Sequence, residues 1–484
     1  MHLDLLRNYL AHGPGSEHGI SRRAALSLGA AAGVVAAAGP GGRGAAVAPS
    51  RPGPRQGDFD DTYFDYSDPA NLADWAPSSY GEGDQRGAFN EVTPAKTAEA
   101  MKVLAGGQGR GVETFQLGEL MTNGFPAYVT SPARIYEQRL MVGGYTPSDN
   151  FVTDGGILQT TEPIGVNKVN VNEERFGCTQ TEGFAEQYST TYQLGTQIDN
   201  LNHVGAGDFF YNGFRGPDIA ESWGTNALGA ENMGPIITRG VLLDVLAQKL
   251  DAGEDGVIEP AANGAPVLAS NYRITIADLE AAMEFGGVGE ITAGDVVMIR
   301  TGWNQLLDRS GGDFVEAEVT RWGAATGMPG IYLAEARWLA SFKPCIVGSD
   351  TWALEVLGSD SNEEGVAFPC HQELLMRYGI RIAESVVLDE LSTAQVYEYV
   401  HIVTPQYARG ATAGNTPPAG LGVRPPGNSA GTTDTSVPSS SSTPGDTTAT
   451  TTASTDSTTG TTDATATTTA STASRDSSPT TSGG

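Results

Sequence analysis

The chain is short of positive charge, of cysteine and of long apolar runs. Lys and Arg together number 28 against 57 Asp and Glu, a formal net charge of −29. So acidic a chain is repelled by phosphate backbones and anionic lipid, which argues against nucleic acid and membrane surfaces as partners. Only three cysteines occur, Cys178, Cys345 and Cys370. Their spacing is neither that of a metal site nor that of a redox pair, and an odd count allows at most one internal disulfide with a thiol left over. Cys345 and Cys370 lie in apolar surroundings, the pattern of core residues. Beyond the N-terminal region no stretch approaches about 18 consecutive apolar residues, so no membrane insertion of the mature chain is expected.

The two ends read differently from the middle. Ser21-Arg22-Arg23-Ala24-Ala25-Leu26 opens a small-residue apolar run reaching about Gly39. This is the pattern of a twin-arginine export signal, assigned to residues 1–48 with cleavage within Ala36–Ala48. It implies a periplasmic, cell-envelope or extracellular protein; a basic dipeptide before a helix is the plainer alternative. Residues 49–74 form a Pro/Gly-rich acidic lead-in. At the other end, residues 413–484 are rich in Ser, Thr, Gly and Pro, with repeats such as TTATTTAST. Such a segment buries too little area to offset its ordering entropy and is expected to be disordered, as a stalk or a solubilising tail. Residues 75–412 remain, enough for a large core.

Within that span, Lys96–Leu104 has a helical pattern stopped by Gly106-Gly107. GGQGRG at 106–111 follows a helix rather than a strand and is no dinucleotide fingerprint. Phe115–Tyr192 reads as strands and loops. Asp251–Gly256 lacks the oxygen ligands of a calcium loop. Gly240–Val245 and Asp295–Arg300 read as buried strands, Thr275–Asp278 as a capping box opening a helix to Phe285, Ile331–Ser341 as a helix, and Cys345–Asp350 as a strand ending in a carboxylate. Alternating helices and strands favour an α/β or mixed architecture.

Two stretches carry chemistry. The first is Tyr192–Val204, YQLGTQIDNLNHV. If it is extended, Gln193, Gln197, Asp199 and His203 share one face, since side chains alternate along a strand. Phe209, Phe210 and Tyr211 follow, either as a pocket wall for a flat substrate or as packing beneath a sheet. The second is Cys370–Glu384. His371 begins a short helix ended by Gly379, and Ile380–Glu384 alternates as a strand with Glu384 in phase with two Ile. A carboxylate buried there needs a cation.

Gln193-Leu194-Gly195-Thr196-Gln197-Ile198-Asp199-Asn200-Leu201-Asn202-His203 resembles the H-x-G-T-H-x-D-x-P-x-H signature of the cyclase family, which includes kynurenine formamidase-like (arylformamidase-like) and isatin hydrolase-like enzymes. Gly195, Thr196, Asp199 and His203 match. Gln193 and Gln197 stand where the family has metal-binding His, and Leu201 stands for Pro. His371 with its Leu-Leu helix, Gly379-Ile380 and Glu384, together with Arg300-Thr301-Gly302-Trp303 and Asp350–Glu355, resembles later family segments. The resemblance runs from Trp75 to His401.

It implies a swivelling β/β/α fold, a mixed sheet with flanking helices, and a homodimer. It also implies a divalent metal ion held by Asp199, His371 and Glu384, with Gln193 and Gln197 as candidate carbonyl donors, and His203 and Glu384 as catalytic groups. Mn, Zn and Mg are the candidates; an oxygen-rich set with one imidazole favours Mn, Mg or Ca over Zn. The implied activity is hydrolysis of an amide or a cyclic amide or ester, with Phe209, Phe210 and Tyr211 against the substrate. The alternatives are a lactonase, dehydratase or cyclase on the same scaffold, or a non-catalytic small-molecule binder in which the two Gln merely hydrogen-bond across a ladder.

Overall fold

The computed structural model describes residues 59–107, 110–128, 130, 133–144, 158–159, 182–308, 313–358 and 366–426. The N-terminal region read above as an export signal, Cys178 and the Ser/Thr-rich repeats lie outside them.

Nine strands form one mixed sheet: β1 (Glu113–Gln116), β2 (Gln197–Asp199), β3 (Ile236–Asp244), β4 (Val296–Arg300), β5 (Ile346–Ser349), β6 (Arg381–Glu384), β7 (Glu398–Val403), β8 (Ala413–Gly414) and β9 (Ala419–Gly422). Their spatial order is β1-β9-β7-β3-β4-β5-β6-β2-β8. The middle four, β3 to β6, are parallel. Apolar runs dominate β3, β4 and β5, as strands covered on both faces require, while β6 carries Arg381 and Glu384 at its two ends. The strands on either side pair antiparallel.

Register assigns the faces. Val241, Val297, Val347 and Ile382 are mutual partners across β3, β4, β5 and β6, and Ile382 faces Asp199 on β2. That face is covered by helices α2 (Val245–Asp251), α3 (Ile276–Gly286) and α4 (Leu333–Ser341), numbered after α1 (Pro94–Ala100). The opposite face carries Leu242, Met298, Ala383 and Ile198, packed on Phe115, Leu391 and Tyr399. Each fully buried aliphatic side chain here contributes about 1.5–3 kcal/mol. The expected capping box holds α3: Thr275 Oγ1 accepts from Asp278 N (3.3 Å), Asp278 Oδ2 accepts from Thr275 N (2.8 Å), and Gly287 ends the helix in the left-handed region.

The folded body exceeds residues 75–412 at both ends. Before it, Tyr66 is buried with Trp75, and its hydroxyl donates to Glu373 Oε2 (2.7 Å). After it, β8 pairs with β2, and β9 lies between β1 and β7. Composition missed these strands because Ala and Gly bury little area; they are held by backbone ladders, and their smallness is required. A Cβ on Gly422 would lie 2.5 Å from Val396 Cγ1. No helix among the described residues is long and apolar enough to cross a membrane.

Candidate metal centre

Asp199, His371 and Glu384 come together where β2, β6 and the helical segment 369–378 meet. β6 pairs with β2 so that Ile382 faces Asp199 and Glu384 faces Gln197. All four side chains therefore leave the sheet on the helix-covered side. Glu384 follows Ile382 in phase at the strand's end, where the apolar layer gives way to the cluster. His371 closes a short helix (Pro369–His371) that continues as a π-helical segment to Tyr378. Gly379 ends that segment at φ 63°; a Cβ there would sit 2.6 Å from Tyr211 Cε2, so only glycine fits.

The extended run expected for Tyr192–Val204 is only Gln197–Asp199 long. Gly195, at φ 63° and with no room for a Cβ beside Met121, turns the chain before it. A second turn, closed by His203 N donating to Asn200 O (2.9 Å), follows it. Gln193 and His203 are thus brought together by turns rather than by strand parity. Gln193 Nε2 lies 3.2 Å from His203 Nδ1 and donates to Thr412 Oγ1 (2.7 Å). Gln193 is engaged away from the carboxylates; Gln197 is not. Its Nε2 donates to Glu384 Oε2 (2.7 Å) and to Asp199 Oδ1 (3.3 Å), while its Oε1 is buried without a partner.

One ligand atom each from Asp199, His371 and Glu384 lies within 4.8 Å of the others. The three residues are 0%, 3% and 4% exposed. His371 Nε2 is 3.2 Å from Glu384 Oε1 and 3.7 Å from Asp199 Oδ2, and His203 Nε2 is 3.6 Å from the same Asp199 oxygen. Among the described residues, Asp199 Oδ2 has no hydrogen-bond partner. A buried carboxylate oxygen without a hydrogen bond, met by imidazole nitrogens only at 3.6 and 3.7 Å and beside a second carboxylate, is costly. Two carboxylates, one imidazole and an orphaned oxygen at this spacing fit a divalent cation.

The electrostatics agree. Burial, reinforced by Asp199, pushes the Glu384 carboxyl up to about 7. Burial alone would lower the His371 pKa, but Asp199, Glu355 and Glu384 together raise it well above the imidazole value. At His203 burial wins over Asp199 and the pKa falls.

Glu355 has a role the sequence did not disclose, although its segment resembled the family. Its Oε1 lies 2.6 Å from His371 Nδ1 and accepts from His371 N (3.2 Å); its Oε2 accepts from Cys370 N (3.2 Å). This fixes the ring so that Nε2 faces the cluster. Glu355→Gln is expected to weaken divalent-ion binding about 10–100-fold with the fold intact. Titration of the variant with Mn²⁺ checks this, and unchanged affinity would show that Glu355 does not orient the ring.

A cavity of 170 Å³ opens on the cluster, lined by His203, His371 and Glu384 and by Tyr128, Arg134, Trp352 and Phe368. A neighbouring cavity of 270 Å³ shares Tyr128, Trp352 and Phe368. Tyr128 stacks on Trp352 (4.5 Å between ring centroids), and Phe368 meets His371 edge-on (5.2 Å). Arg134 donates to Gln193 O (3.2 Å). These walls come from loops without periodicity, so no sequence signal marked them. The expected wall, Phe209–Tyr211, is elsewhere. Phe209 packs edge-on against Trp75, Phe210 lies on the helix-side core, and the buried Tyr211 hydroxyl donates to Asp84 Oδ2 (2.8 Å). After His203 the chain turns back to the N-terminal segment, and the three rings complete that core instead.

Residues 88–356 match the family model named Cyclase. The chain belongs to the cyclase family. Among solved structures, the crystal structure of a novel cyclase is 25% identical, with a TM-score of 0.54 over 72% of this chain and 98% of its own. Isatin hydrolase A from Ralstonia solanacearum is 16% identical (TM-score 0.42; 68% and 98% covered), and a predicted metal-dependent hydrolase from Bacillus stearothermophilus is also 16% identical (TM-score 0.34; 64% and 98%). No curated protein matches. The mixed sheet with flanking helices is thus the fold of a cyclase-family protein. His371 and Glu384 lie beyond the matched span and reach the cluster through the strand and helix described above.

Proposed function

We propose that this cyclase-family protein is an exported, homodimeric, metal-dependent hydrolase of an amide or a cyclic amide or ester. The observation that carries the reading is the buried Asp199–His371–Glu384 cluster with its orphaned Asp199 oxygen, open to an aromatic-walled cavity. Those three residues would hold the ion, with Gln197, whose Oε1 lacks a partner, as a neutral fourth donor. A divalent ion bound there would polarise the substrate carbonyl and lower the pKa of the attacking water. Tyr128, Trp352 and Phe368 offer faces and edges to a flat body, and Arg134 offers a cation at the same cavity.

His203 serves as a neutral hydrogen-bond donor. With the Gln193 amide nitrogen donating, Nδ1 is the acceptor and the ring proton sits on Nε2, the atom facing Asp199. Burial keeps the ring neutral at neutral pH. His203 therefore presents an N–H that can hydrogen-bond the oxygen on which charge develops, while keeping its own proton.

Metal content of protein purified without chelator tests the reading. About one equivalent of divalent ion per chain is expected, lost in Glu384→Ala, with hydrolysis of a member of a panel of formamides, lactones and isatin-like lactams. No bound ion after soaking with Mn²⁺, Mg²⁺ and Zn²⁺ would overturn it in favour of a non-catalytic binder.

A further inference from the structure

A larger cavity, 420 Å³, shares no lining residue with those beside the cluster. It lies between the N-terminal segment around Trp75, the turn after α4, and the junction from the π-helical segment into β6. Its apolar walls include Trp75, Pro77, Tyr378 and Ile380. Trp75 is 5% exposed, yet among the described residues its indole Nε1 has no hydrogen-bond partner. An indole N–H can only donate, and when buried it ordinarily finds an acceptor.

The cavity also inverts the charge balance of the chain. Lys343 and Arg377 line it, against Asp74 as the one carboxylate. Among the described residues Lys343 has no ion pair. Arg377 meets Glu373 (3.4 Å) and lies over the Phe64 and Tyr378 rings (5.4 and 5.6 Å), and Glu373 already accepts from Arg337 (3.0 and 3.1 Å) and from Tyr66 (2.7 Å). In a chain with about twice as many acidic as basic residues (57 against 28), a lining of two cations against one carboxylate beside an unpartnered donor is conspicuous.

We propose that this cavity is a second binding site, for a small carboxylate with an apolar, aromatic body. The carboxylate meets Lys343 and Arg377, an acceptor oxygen satisfies Trp75 Nε1, and the ring lies against Tyr378 and Ile380. Guanidinium and ammonium groups select the anion over its neutral isostere, and the aromatic wall selects against inorganic anions.

Fluorine NMR of the full chain labelled with 5-fluorotryptophan tests this, with 2-naphthoate as probe and 2-naphthylmethanol as neutral isostere. The six tryptophans give separate reporters, and the Trp75 resonance is the one missing in Trp75→Phe. Saturable movement of that resonance by naphthoate is expected. Binding should be at least about tenfold weaker for the alcohol and for Lys343→Gln or Arg377→Gln, and retained in Lys343→Arg. The other resonances certify that each variant is folded. An unmoved Trp75, equal binding of the alcohol, or binding unaffected by filling the cavity with Ala340→Phe would overturn the proposal. So would movement confined to Trp352, which would place the anion beside Arg134.

Discussion

Asp199→Asn should cost the protein its metal ion, with a loss of affinity of at least about 100-fold, and should leave the metal-free fold as stable as before or about 1–2 kcal/mol more stable. Asp199 is fully buried, one oxygen is held only by the Gln197 amide at 3.3 Å, and the other has no hydrogen-bond partner. Beside Glu384, and with the His203 and His371 nitrogens no nearer than 3.6 and 3.7 Å, that carboxylate is poorly compensated without the ion, and a neutral amide of the same shape lessens the penalty. The effect spreads to Glu384, whose carboxyl is held up at about 7 by burial and by Asp199. The sign follows from linkage: a carboxyl whose folded pKa exceeds its ordinary 4.5 is preferred protonated, so metal-free stability falls as pH rises from about 4.5 through about 7. Removing the Asp199 charge should shrink that fall. Urea denaturation in chelator, beside ion titration of the same samples, reads both halves. An Asn variant that binds the ion normally, or that unfolds several kcal/mol more easily, would make Asp199 a structural residue.

The second large effect is an acid lability built into β7. His401 is fully buried; among the described residues its Nε2 has no partner and Nδ1 has only the Tyr399 hydroxyl at 3.4 Å. Burial lowers its pKa from 6.5 to about 3. The fold therefore prefers the neutral ring, and the stability it contributes is complete above pH 6.5. Below that the unfolded chain takes up a proton that the native state refuses, at about 1.4 kcal/mol per pH unit. Between pH 6.5 and about 4.5 the loss from this one residue reaches about 2–3 kcal/mol. His401→Leu should abolish that component, whatever it costs at neutral pH through the lost Tyr399 contact. His371 and His203 titrate in both proteins and cancel in the difference. Parallel stability–pH curves for wild type and variant would show that His401 is protonated in the native state.

Much of this architecture is legible in the sequence, and the failures are physical. Buried strands β3, β4 and β5, the alternating strand β6 and the capped helix α3 announce themselves, because apolar runs, alternation and Thr275–Asp278 chemistry are local signals. Glu384 stands out because a carboxylate in phase with Ile380 and Ile382 is carried into the core, where it calls for a cation. Asp199 and His371 stand out through the motifs around them. Gln193 is misplaced by strand parity, because a left-handed glycine at Gly195 resets the direction of every later side chain. Phe209–Tyr211 do not reach the cavity, because sequence adjacency to Asp199 is not spatial adjacency once the chain reverses after His203. Glu355, Tyr128, Arg134 and Trp352 act through positions that only the folded chain brings together.

Strand β2 carries a consequence for how the molecule assembles. Its partners are β6 and β8, some 185 and 215 residues later in the chain, so the residues that hold Asp199 and Gln197 are among the last to be synthesised. Thr412, which accepts from Gln193 and whose carbonyl accepts from Asn200 N, belongs to the same late segment. Contacts of such long range must await closure of the whole intervening loop. On an emerging chain, β3, β4 and β5 can pair in order while β2 waits beside an unfilled place in the sheet. The metal centre is then completed at the end of folding, and a chain cut where the Ser/Thr-rich composition begins would lose the edge that closes it.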